Sequence, residues 1–316
     1  MSTDRQPGTK PIGVLVMAHG TPSRPDDVEA FYTRIRRGSP PSPEQLAELT
    51  GRYEAIGGIS PLAERTAGQV DGLAAALEAA DPGRFIVRYG AKYTEPTIEQ
   101  SAAALLADGV RTVVGVVLTP HRSTMGSGEY LRRATEALGD DVEFLPVEQW
   151  YDAPGFAALL AGRVHAALDR LPPSTEGARL VLFTAHSLPE RVRTNGDPYP
   201  DQMVHSAELI AAEAGIDNWR VAWQSAGRTP EPWIGPDILE VIKALPDEGI
   251  GAVVVCPVGF VSDHLEVLFD VDIEAKAVAD TAGVTLVRTP SLNADPEFLD
   301  ILAKVVVATA GAGATS

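Results

Sequence analysis

Two histidines in this chain of 316 residues each follow a short apolar segment that is typical of a buried strand. His19 follows the apolar run that ends at Ala18, and His186 follows the run that ends at Ala185. A neutral imidazole can accept a proton or bind a metal ion. One such histidine is more often structural, but two at matched positions favour chemistry. Because ligands of open parallel sheets bind beyond the carboxyl ends of the strands, the pair predicts a site for proton transfer or metal binding.

An acidic segment after residue 258 supplies a second group of candidates. Glu266, Asp270 and Glu274 are spaced four residues apart, so a helix would hold them in one column. Like charges at this spacing repel, and an ordinary helix would carry them only as a solvated face. If the column begins near His186, it instead predicts a path for a hydrated divalent cation with oxygen and nitrogen ligands. The neighbouring His264 is expected to point away from Glu266.

A third group, basic and aromatic, lies mostly in a long segment between the first two predicted strands. A connection of this length, punctuated by Gly and Pro, is usually functional. Arginine offers a planar fork that matches carboxylates, and a nearby tyrosine suits a flat ligand with anionic edges. The alternative is a set of surface arginines that pair with the many acids. The candidates are Arg36, Arg52, Tyr53 and Ser60, with Tyr130 farther along the chain.

If the three groups of candidate side chains belong to one site, the fold must bring the ends of several strands together. Short β-branched runs alternate with amphipathic segments, which indicates βαβ units and parallel sheets. Two sets of motifs recur in the same order, so we predict an α/β fold of two similar Rossmann-like domains, with a cleft between them. Each domain is expected to hold a four-stranded parallel sheet flanked by helices. The strands are predicted near 12–18, 85–91, 112–118, 142–147, 179–185, 219–225, 252–258 and 284–288.

The predicted domain boundaries follow from the same pattern. The first domain is expected to span residues 1–153 and to contain the insertion 20–62. The second is expected to span residues 154–290 and to carry the metal site. Residues 291–316 are predicted to form a helix that packs back on the first domain.

Composition limits the class of protein. Hydrophobic residues make up 45% of the chain and charged residues 22%, which is typical of a globular protein. No apolar run is long enough to span a bilayer, and residues 1–10 lack the apolar core of a signal peptide, so we expect a cytoplasmic protein. The net charge of −17 argues against binding of nucleic acid. A single cysteine, Cys256, excludes an internal disulfide and a cysteine-ligated iron–sulfur cluster.

Several segments resemble the ferrochelatase family, the class II chelatases that insert Fe(II) into a porphyrin. The resemblance extends over residues 13–306 and is most similar to the soluble Gram-positive type, which uses coproporphyrin III. Its most specific parts are TAHSLP at 184–189, GDPYPDQ at 196–202, residues 258–274 and RYEAIGGISPL at 52–62. The resemblance implies a lyase of haem biosynthesis that makes Fe-coproporphyrin III. Fe(II) is then a substrate, and no tightly bound cofactor or iron–sulfur cluster is expected.

The resemblance also implies roles for single residues. His186 and Glu266 match the catalytic metal-site pair of the family, and Asp270 and Glu274 match outer carboxylates that relay metal or protons. A polar stretch at residues 39–44 stands where the membrane-bound type has a hydrophobic lip, which favours coproporphyrin III over protoporphyrin IX. The residues that match porphyrin contacts are Arg36, Arg52, Tyr53, Ser60 and Tyr130.

One departure from the family keeps alternatives open. His19 stands where the Gram-positive type usually has a tyrosine that resembles an axial ligand of the product iron. His19 could bind that iron and contact the porphyrin, or hold the metal against His186 as in small chelatases that load cobalt or nickel. The alternatives are therefore a protoporphyrin IX ferrochelatase, a cobalt or nickel chelatase, a non-catalytic haem carrier and, least in accord with the sequence, a periplasmic-type binding protein.

The expected partners follow from the same resemblance. They are a small tetrapyrrole and a divalent metal ion, without nucleic acid and without stable insertion in a membrane. We expect a monomer that makes transient contacts with other enzymes of the haem pathway.

Overall fold

The chain divides into two compact units. The computed structural model describes residues 11–173, 176–227 and 229–313. Unit 1 comprises Met1–Trp150 and Asn293–Ser316, and unit 2 comprises Tyr151–Leu292. Each unit holds one four-stranded parallel sheet with helices around it, which confirms the predicted α/β class. Residues 1–10, on which the prediction about a signal peptide was based, lie outside the described ranges, as do residues 314–316.

The sheet of unit 1 has the strand order β2-β1-β3-β4. β1 is buried along its whole length, and it pairs with β2 on one side and β3 on the other. A strand covered on both faces reads as a continuous apolar run, which is why it was predictable from sequence. The strands are β1 (Ile12–Ala18), β2 (Phe85–Ala91), β3 (Thr112–Val117) and β4 (Glu143–Val147).

The insertion of unit 1 folds into two helices after a short 3-10 turn at Pro25–Asp27. The second of these helices begins with a capping box, in which the Gln45 amide donates to Ser42 Oγ and the Ser42 amide donates to Gln45 Oε1. The helices of unit 1 before its last strand are α1 (Val28–Ile35), α2 (Pro43–Ala55), α3 (Leu62–Ala80), α4 (Ile98–Ala107) and α5 (Ser127–Leu138).

Unit 2 repeats the strand pattern of unit 1 in the order β6-β5-β7-β8, so β5 holds the place of β1. In the register of β5 and β6, His186 lies opposite Gln224. The strands are β5 (Ala178–His186), β6 (Trp219–Gln224), β7 (Ile250–Cys256) and β8 (Thr285–Arg288). The α-helices of unit 2 are α6 (Phe156–Leu168), α7 (Arg191–Thr194), α8 (Tyr199–Ala214), α9 (Ile238–Ala244) and α10 (Lys276–Ala282).

The C-terminal helix α11 (Pro296–Gly313) packs on unit 1. The Phe298 ring lies on the Trp150 ring with centroids 5.6 Å apart. Leu299 packs over Gly72 of α3, where an added Cβ would come within 2.3 Å of Leu299 Cδ1. Gln69 of α3 also donates a hydrogen bond to the Asn293 carbonyl at 3.0 Å. Within the described ranges, no helix combines the length and apolar character needed to cross a membrane.

The acidic segment of unit 2 forms a π-helix at Val267–Ala275, which runs directly into α10. The sequence predicts a helix in this segment, but it does not predict that the helix is a π-helix. Val267, Val271 and Ala275, four residues apart, are buried in it, and an α-helix would also turn them to one side. The hydrophobic pattern therefore does not distinguish the two windings. π-helical segments are rare and occur frequently at functional sites.

Candidate active site

His186 is the last residue of β5, and neighbouring backbone and side chains fix its orientation. Tyr199 Oη donates to the His186 carbonyl at 2.9 Å. The His186 Nδ1 atom donates to the Ser187 carbonyl, because a carbonyl can only accept. In the neutral ring the lone pair is then on Nε2, which can accept a proton or bind a metal ion.

Glu266 lies beside this imidazole. His186 Nε2 and Glu266 Oε1 are 3.8 Å apart, and the two side chains are 35% and 37% exposed. Gln224 Nε2 donates to the Glu266 carbonyl at 3.1 Å. Since Gln224 lies opposite His186 in the sheet, the same pair of strands positions both members of the His186–Glu266 pair. A lone pair and a carboxylate, both accessible, can receive protons or a metal cation.

His264 also contacts Glu266, so the expectation that it points away was wrong. Its Nε2 atom lies 3.6 Å from Glu266 Oε2. The helical turn begins at Leu265, so His264 precedes the helix and does not follow helical geometry. Its Nδ1 atom bonds to the Ser262 carbonyl at 3.0 Å, and its ring packs on Phe260 with centroids 4.8 Å apart. The Glu266 carboxylate therefore lies between two imidazoles.

Gly259 allows the loop after β7 to approach β5 next to His186. Its amide donates to the Thr184 carbonyl at 3.1 Å. A Cβ at this position would lie 2.5 Å from Ala185 Cβ and 2.9 Å from Ala185 Cα. Real Cβ atoms do not approach backbone that closely, so only glycine fits without displacing the strand end.

Gly259→Ala is therefore expected to lower the free energy of unfolding by about 1–3 kcal/mol through overpacking. Urea denaturation measures the change. Gly162→Ala is the matched control, because Gly162 is exposed in α6 and an added Cβ there has no neighbour within 4 Å. The control should be neutral or stabilising by up to about 1 kcal/mol. Equal stability of the two variants would contradict the close approach at Gly259.

The outer carboxylates differ in their surroundings. Asp270 is buried, and Ser225 Oγ donates to its Oδ2 atom. Ser225 follows β6 and has a φ of 59°, in the left-handed region that is uncommon for residues other than glycine. Glu274 is half-buried in the last turn of the π-helix. Asp270 thus belongs to the interior of unit 2 rather than to a solvated acidic face.

His19 lies just beyond β1 in unit 1. Its exposed ring is edge-on to Tyr93 and Phe31, with centroids 4.8 Å and 5.9 Å away. Its Nδ1 atom bonds to the Gly20 carbonyl at 3.0 Å, which leaves the lone pair of the neutral ring on Nε2. His19 therefore has the same tautomer preference as His186.

Lys92 and Tyr130 form a buried cation–aromatic contact in unit 1. Lys92 Nζ lies 5.0 Å from the Tyr130 ring centroid and 5.2 Å from that of Tyr93. The same Nζ atom pairs with Glu129 Oε2 at 2.7 Å. Burial, with smaller contributions from neighbouring charges, raises the pKa of the Tyr130 phenol well above its usual value. Tyr130 is therefore a neutral donor at neutral pH.

The candidates of the insertion lie in or beside its helices. Arg36 follows α1, where its Nε atom donates to the Ser39 carbonyl at 3.3 Å and its guanidinium lies over the Tyr32 ring. Arg52 and Tyr53 belong to α2. Arg52 Nη2 is 3.5 Å from Glu48 Oε1, and Tyr53 is buried.

Ser60 lies just before α3 in unit 1. It is buried, and its hydroxyl accepts a hydrogen bond from the Leu62 amide at 3.2 Å. The local role visible for Ser60 is therefore to bond the first residue of α3.

Comparison with known proteins identifies the family. The family model described as Ferrochelatase matches residues 11–310. The chain belongs to the ferrochelatase family. It is 45% identical to the coproporphyrin III ferrochelatase of Bacillus subtilis, over 96% of this chain and 99% of that protein. It is 43% identical to the ferrochelatase of Herpetosiphon aurantiacus, over 93% of this chain and 97% of that protein. The predicted family is confirmed.

Solved chelatases share the fold of this family member. SirB from Bacillus subtilis with Fe3+ matches with a TM-score of 0.58 and 15% identity, over 97% of this chain and 98% of that one. The sirohydrochlorin chelatase SirB from Bacillus subtilis subspecies spizizenii, in complex with cobalt, matches with a TM-score of 0.55 and 14% identity, over 96% of both chains. At this identity the likeness shows the fold alone, and it confirms the predicted chelatase fold.

The site residues predicted for this ferrochelatase family member divide between the units. His186, Glu266, Asp270 and Glu274 lie in unit 2, on β5 and on the acidic helix. Unit 1 holds the remaining candidates, which are His19, Arg36, Arg52, Tyr53, Ser60 and Tyr130. Among the residues that the structure describes, no three or more His, Cys, Asp or Glu side chains are grouped closely enough to hold a metal ion by themselves.

His121 was missed by the sequence reasoning. It follows β3, which pairs with β1, and it is buried. Burial lowers the pKa of its imidazole to about 3, so the ring is neutral at physiological pH. The signal that could have found it is its position just past an apolar strand, as for His19.

Proposed function

We propose that the chain inserts Fe(II) into coproporphyrin III to give Fe-coproporphyrin III in haem biosynthesis. The observation that carries this proposal is the His186–Glu266 pair at the carboxyl end of β5, with 3.8 Å between Nε2 and Oε1, in a member of the ferrochelatase family. The relatives named coproporphyrin III ferrochelatase support the choice of porphyrin.

The proposed reaction releases two pyrrole protons as the metal enters the ring. The lone pair on His186 Nε2 and the Glu266 carboxylate are suited to receive these protons or to hold the incoming metal ion. His264, 3.6 Å from the other Glu266 oxygen, can share a proton that reaches this carboxylate. We assign Asp270 and Glu274 to the passage of metal or protons toward His186 and Glu266. Fe(II) is a substrate here and leaves in the product.

Binding of the porphyrin is assigned to unit 1. Arg36 and Arg52 suit the propionates of coproporphyrin III, since guanidinium groups form charge-assisted bonds with carboxylates. Binding energy from these remote groups can offset the cost of puckering the macrocycle, so that its nitrogen lone pairs face the metal. The other proposed contacts are Tyr53, Ser60, Tyr130 and His19.

We also propose that the enzyme works without a resident cofactor. The one cysteine of the chain, Cys256, is buried in β7, and burial raises the pKa of its thiol to about 11. A buried neutral thiol is a poor ligand for an iron–sulfur cluster. The remaining proposals are a cytoplasmic location, a monomeric state and transient contact with other enzymes of the haem pathway.

A side-by-side anaerobic assay of porphyrins and metals tests the substrate assignment. We expect kcat/KM with Fe(II) to be about 10- to 100-fold higher for coproporphyrin III than for protoporphyrin IX, because coproporphyrin III has two more propionates for charge-assisted hydrogen bonds. A preference for protoporphyrin IX would contradict the porphyrin assignment. Insertion of Co(II) or Ni(II) without insertion of Fe(II) would favour the alternative metal chelatase, which the histidine at position 19 suggests.

His19 is expected to ligate the iron of the bound product. His19→Tyr replaces a neutral nitrogen ligand with a phenol oxygen, so the visible spectrum of bound Fe-coproporphyrin III should shift. His205→Tyr, a change at an exposed histidine of α8, is the control and should leave the spectrum unchanged. Identical spectra for wild type and His19→Tyr would show that His19 is not a ligand of the product.

A further inference from the structure

We propose that Arg288 is a positioning residue that fixes the π-helical winding of Val267–Ala275 and thereby holds Glu266 beside His186. The inference rests on the proposed function, since it assigns Arg288 to the geometry of that site. Arg288 acts through the helix and makes no contact with the reacting groups in this assignment.

Arg288 is the last residue of β8 and binds two carboxylates on the acidic segment. It holds Asp272 through two parallel bonds, Nε to Oδ1 at 2.7 Å and Nη2 to Oδ2 at 2.9 Å. Its Nη1 atom is 3.3 Å from Asp263 Oδ1. Ser291 Oγ donates to the same Asp263 oxygen at 2.7 Å and accepts from Arg288 Nη1 at 3.2 Å. One guanidinium therefore joins Asp263, Asp272 and the chain after β8.

The guanidinium of Arg288 is largely sheltered from solvent, whereas Asp272 lies nearer the surface. The side chain of Arg288 is 15% exposed, that of Asp263 20% and that of Asp272 36%. Burial lowers the pKa of Arg288, but the hydrogen bonds and charges of Asp272 and Asp263 outweigh it, and the net shift is upward. A paired and partly buried bidentate contact is stronger and more directional than an exposed ion pair.

The two carboxylates flank Glu266 along the chain. Asp263 precedes Glu266 in the loop, and Asp272 follows it within the π-helix. A π-helix has i→i+5 hydrogen bonds and an α-helix has i→i+4 bonds. Rewinding the segment as an α-helix would turn Asp272 about the helix axis and break its two bonds to Arg288, while Asp263 stays anchored.

Contacts from the end of β6 and the residue after it also hold this segment. Gln224 holds the Glu266 carbonyl, and Ser225 holds the Asp270 carboxylate. With Arg288, three side chains thus restrain the helix between Asp263 and Asp272. Of these, only Arg288 has a planar fork that fixes direction as well as distance.

Three variants and a control test the assignment. Arg288→Lys keeps the charge and removes the fork, Asp272→Asn removes the carboxylate, and the third variant combines both. Arg220→Lys is the control, because Arg220 of β6 binds both oxygens of Glu248, a residue that is not part of the acidic helix. Fe(II) insertion kinetics give kcat and KM for coproporphyrin III, and amide hydrogen exchange reports on residues 266–275 and, separately, on β5.

The two single variants are expected to lower kcat by about 10- to 100-fold with KM changed less than about twofold, since misplacement of Glu266 affects the chemical step. Exchange over residues 266–275 should become faster while β5 stays protected. The combined variant should be no slower than the slower single variant, because both remove one contact. The control should match wild type.

Two results would overturn the inference. One is wild-type kcat in Arg288→Lys and Asp272→Asn with unchanged exchange over residues 266–275. The other is loss of protection throughout unit 2 with KM and kcat altered together, which indicates a general loss of structure. An inactive wild type would defeat the proposed function instead, and the exchange experiment would still test whether Arg288 holds the helix.

Discussion

Glu266→Gln is expected to slow Fe(II) insertion by about 10²- to 10⁴-fold, the usual contribution of a positioned proton acceptor or charge. The change keeps the size of the side chain and removes the charge that can take a pyrrole proton or attract the metal ion. Glu266 is 37% exposed, so its loss should cost little stability. Anaerobic initial rates measure kcat, and fluorescence quenching of the free-base porphyrin measures its affinity, which should change less than about threefold.

Glu240→Gln is the matched control for this variant. Glu240 is an exposed acid in the first turn of α9, in the same unit. Its change alters the net charge of the chain by the same amount and should leave the rate at the wild-type value. Near-normal turnover in Glu266→Gln, or an equal loss in both variants, would remove Glu266 from the mechanism.

His186→Ala is expected to reduce kcat by a similar factor, about 10²- to 10⁴-fold, because it removes the Nε2 lone pair next to Glu266. The backbone contacts of this position are kept, since Tyr199 bonds to the His186 carbonyl rather than to its ring. The free energy of unfolding should therefore fall by less than about 1 kcal/mol. Rates and urea denaturation on the same preparation separate loss of chemistry from loss of fold.

Coupling between the two changes adds a second readout. If His186 and Glu266 work as a unit, the variant with both changes should be no slower than the slower single variant. If the loss of rate in the double variant equals the product of the two single losses, the two side chains act independently. His205→Ala, at an exposed histidine of α8, is the control and should keep wild-type rates.

The central strands were predictable because they are covered on both faces. Buried parallel strands read as continuous apolar runs, and β1 and β5 are the clearest of them. The matched motifs after these strands predicted two similar units, and His186 and Glu266 followed from the ends of β5 and of the loop after β7. Such local signals depend only on residues near one another in the chain.

The winding of the acidic helix depends on distant residues and was not predictable. The orientation of His264 was missed for a local reason, because His264 precedes the helix and does not follow helical geometry. Asp270 is buried, and the Ser225 side chain that donates to it is 45 residues away and has a left-handed backbone conformation. Asp272 is held by Arg288, 16 residues away. No spacing rule within the acidic segment contains this information, so its pattern predicted a regular helix with a solvated or metal-conducting face.

In the insertion, too, the sequence predicts local features better than contacts between distant residues. Its arginines and tyrosine are candidates for ligand binding because of their chemistry alone. Its capping box follows directly from Ser42 and Gln45. The contacts of Arg36 with Ser39 and of Arg52 with Glu48 are local. By contrast, the position of His121 after an apolar strand predicts a histidine at a strand end, but its burial depends on the packing around it and does not follow from that position.

Anaerobic incubation of the purified chain with coproporphyrin III and Fe(II), followed by visible spectroscopy, tests the proposed reaction most directly. We predict that the free-base bands disappear and the Fe-coproporphyrin III spectrum appears with wild type, and that Glu266→Gln gives conversion no faster than the uncatalysed mixture. A wild-type chain that binds the porphyrin but leaves the free-base bands unchanged, with Fe(II) in excess, would contradict metal insertion at His186 and Glu266.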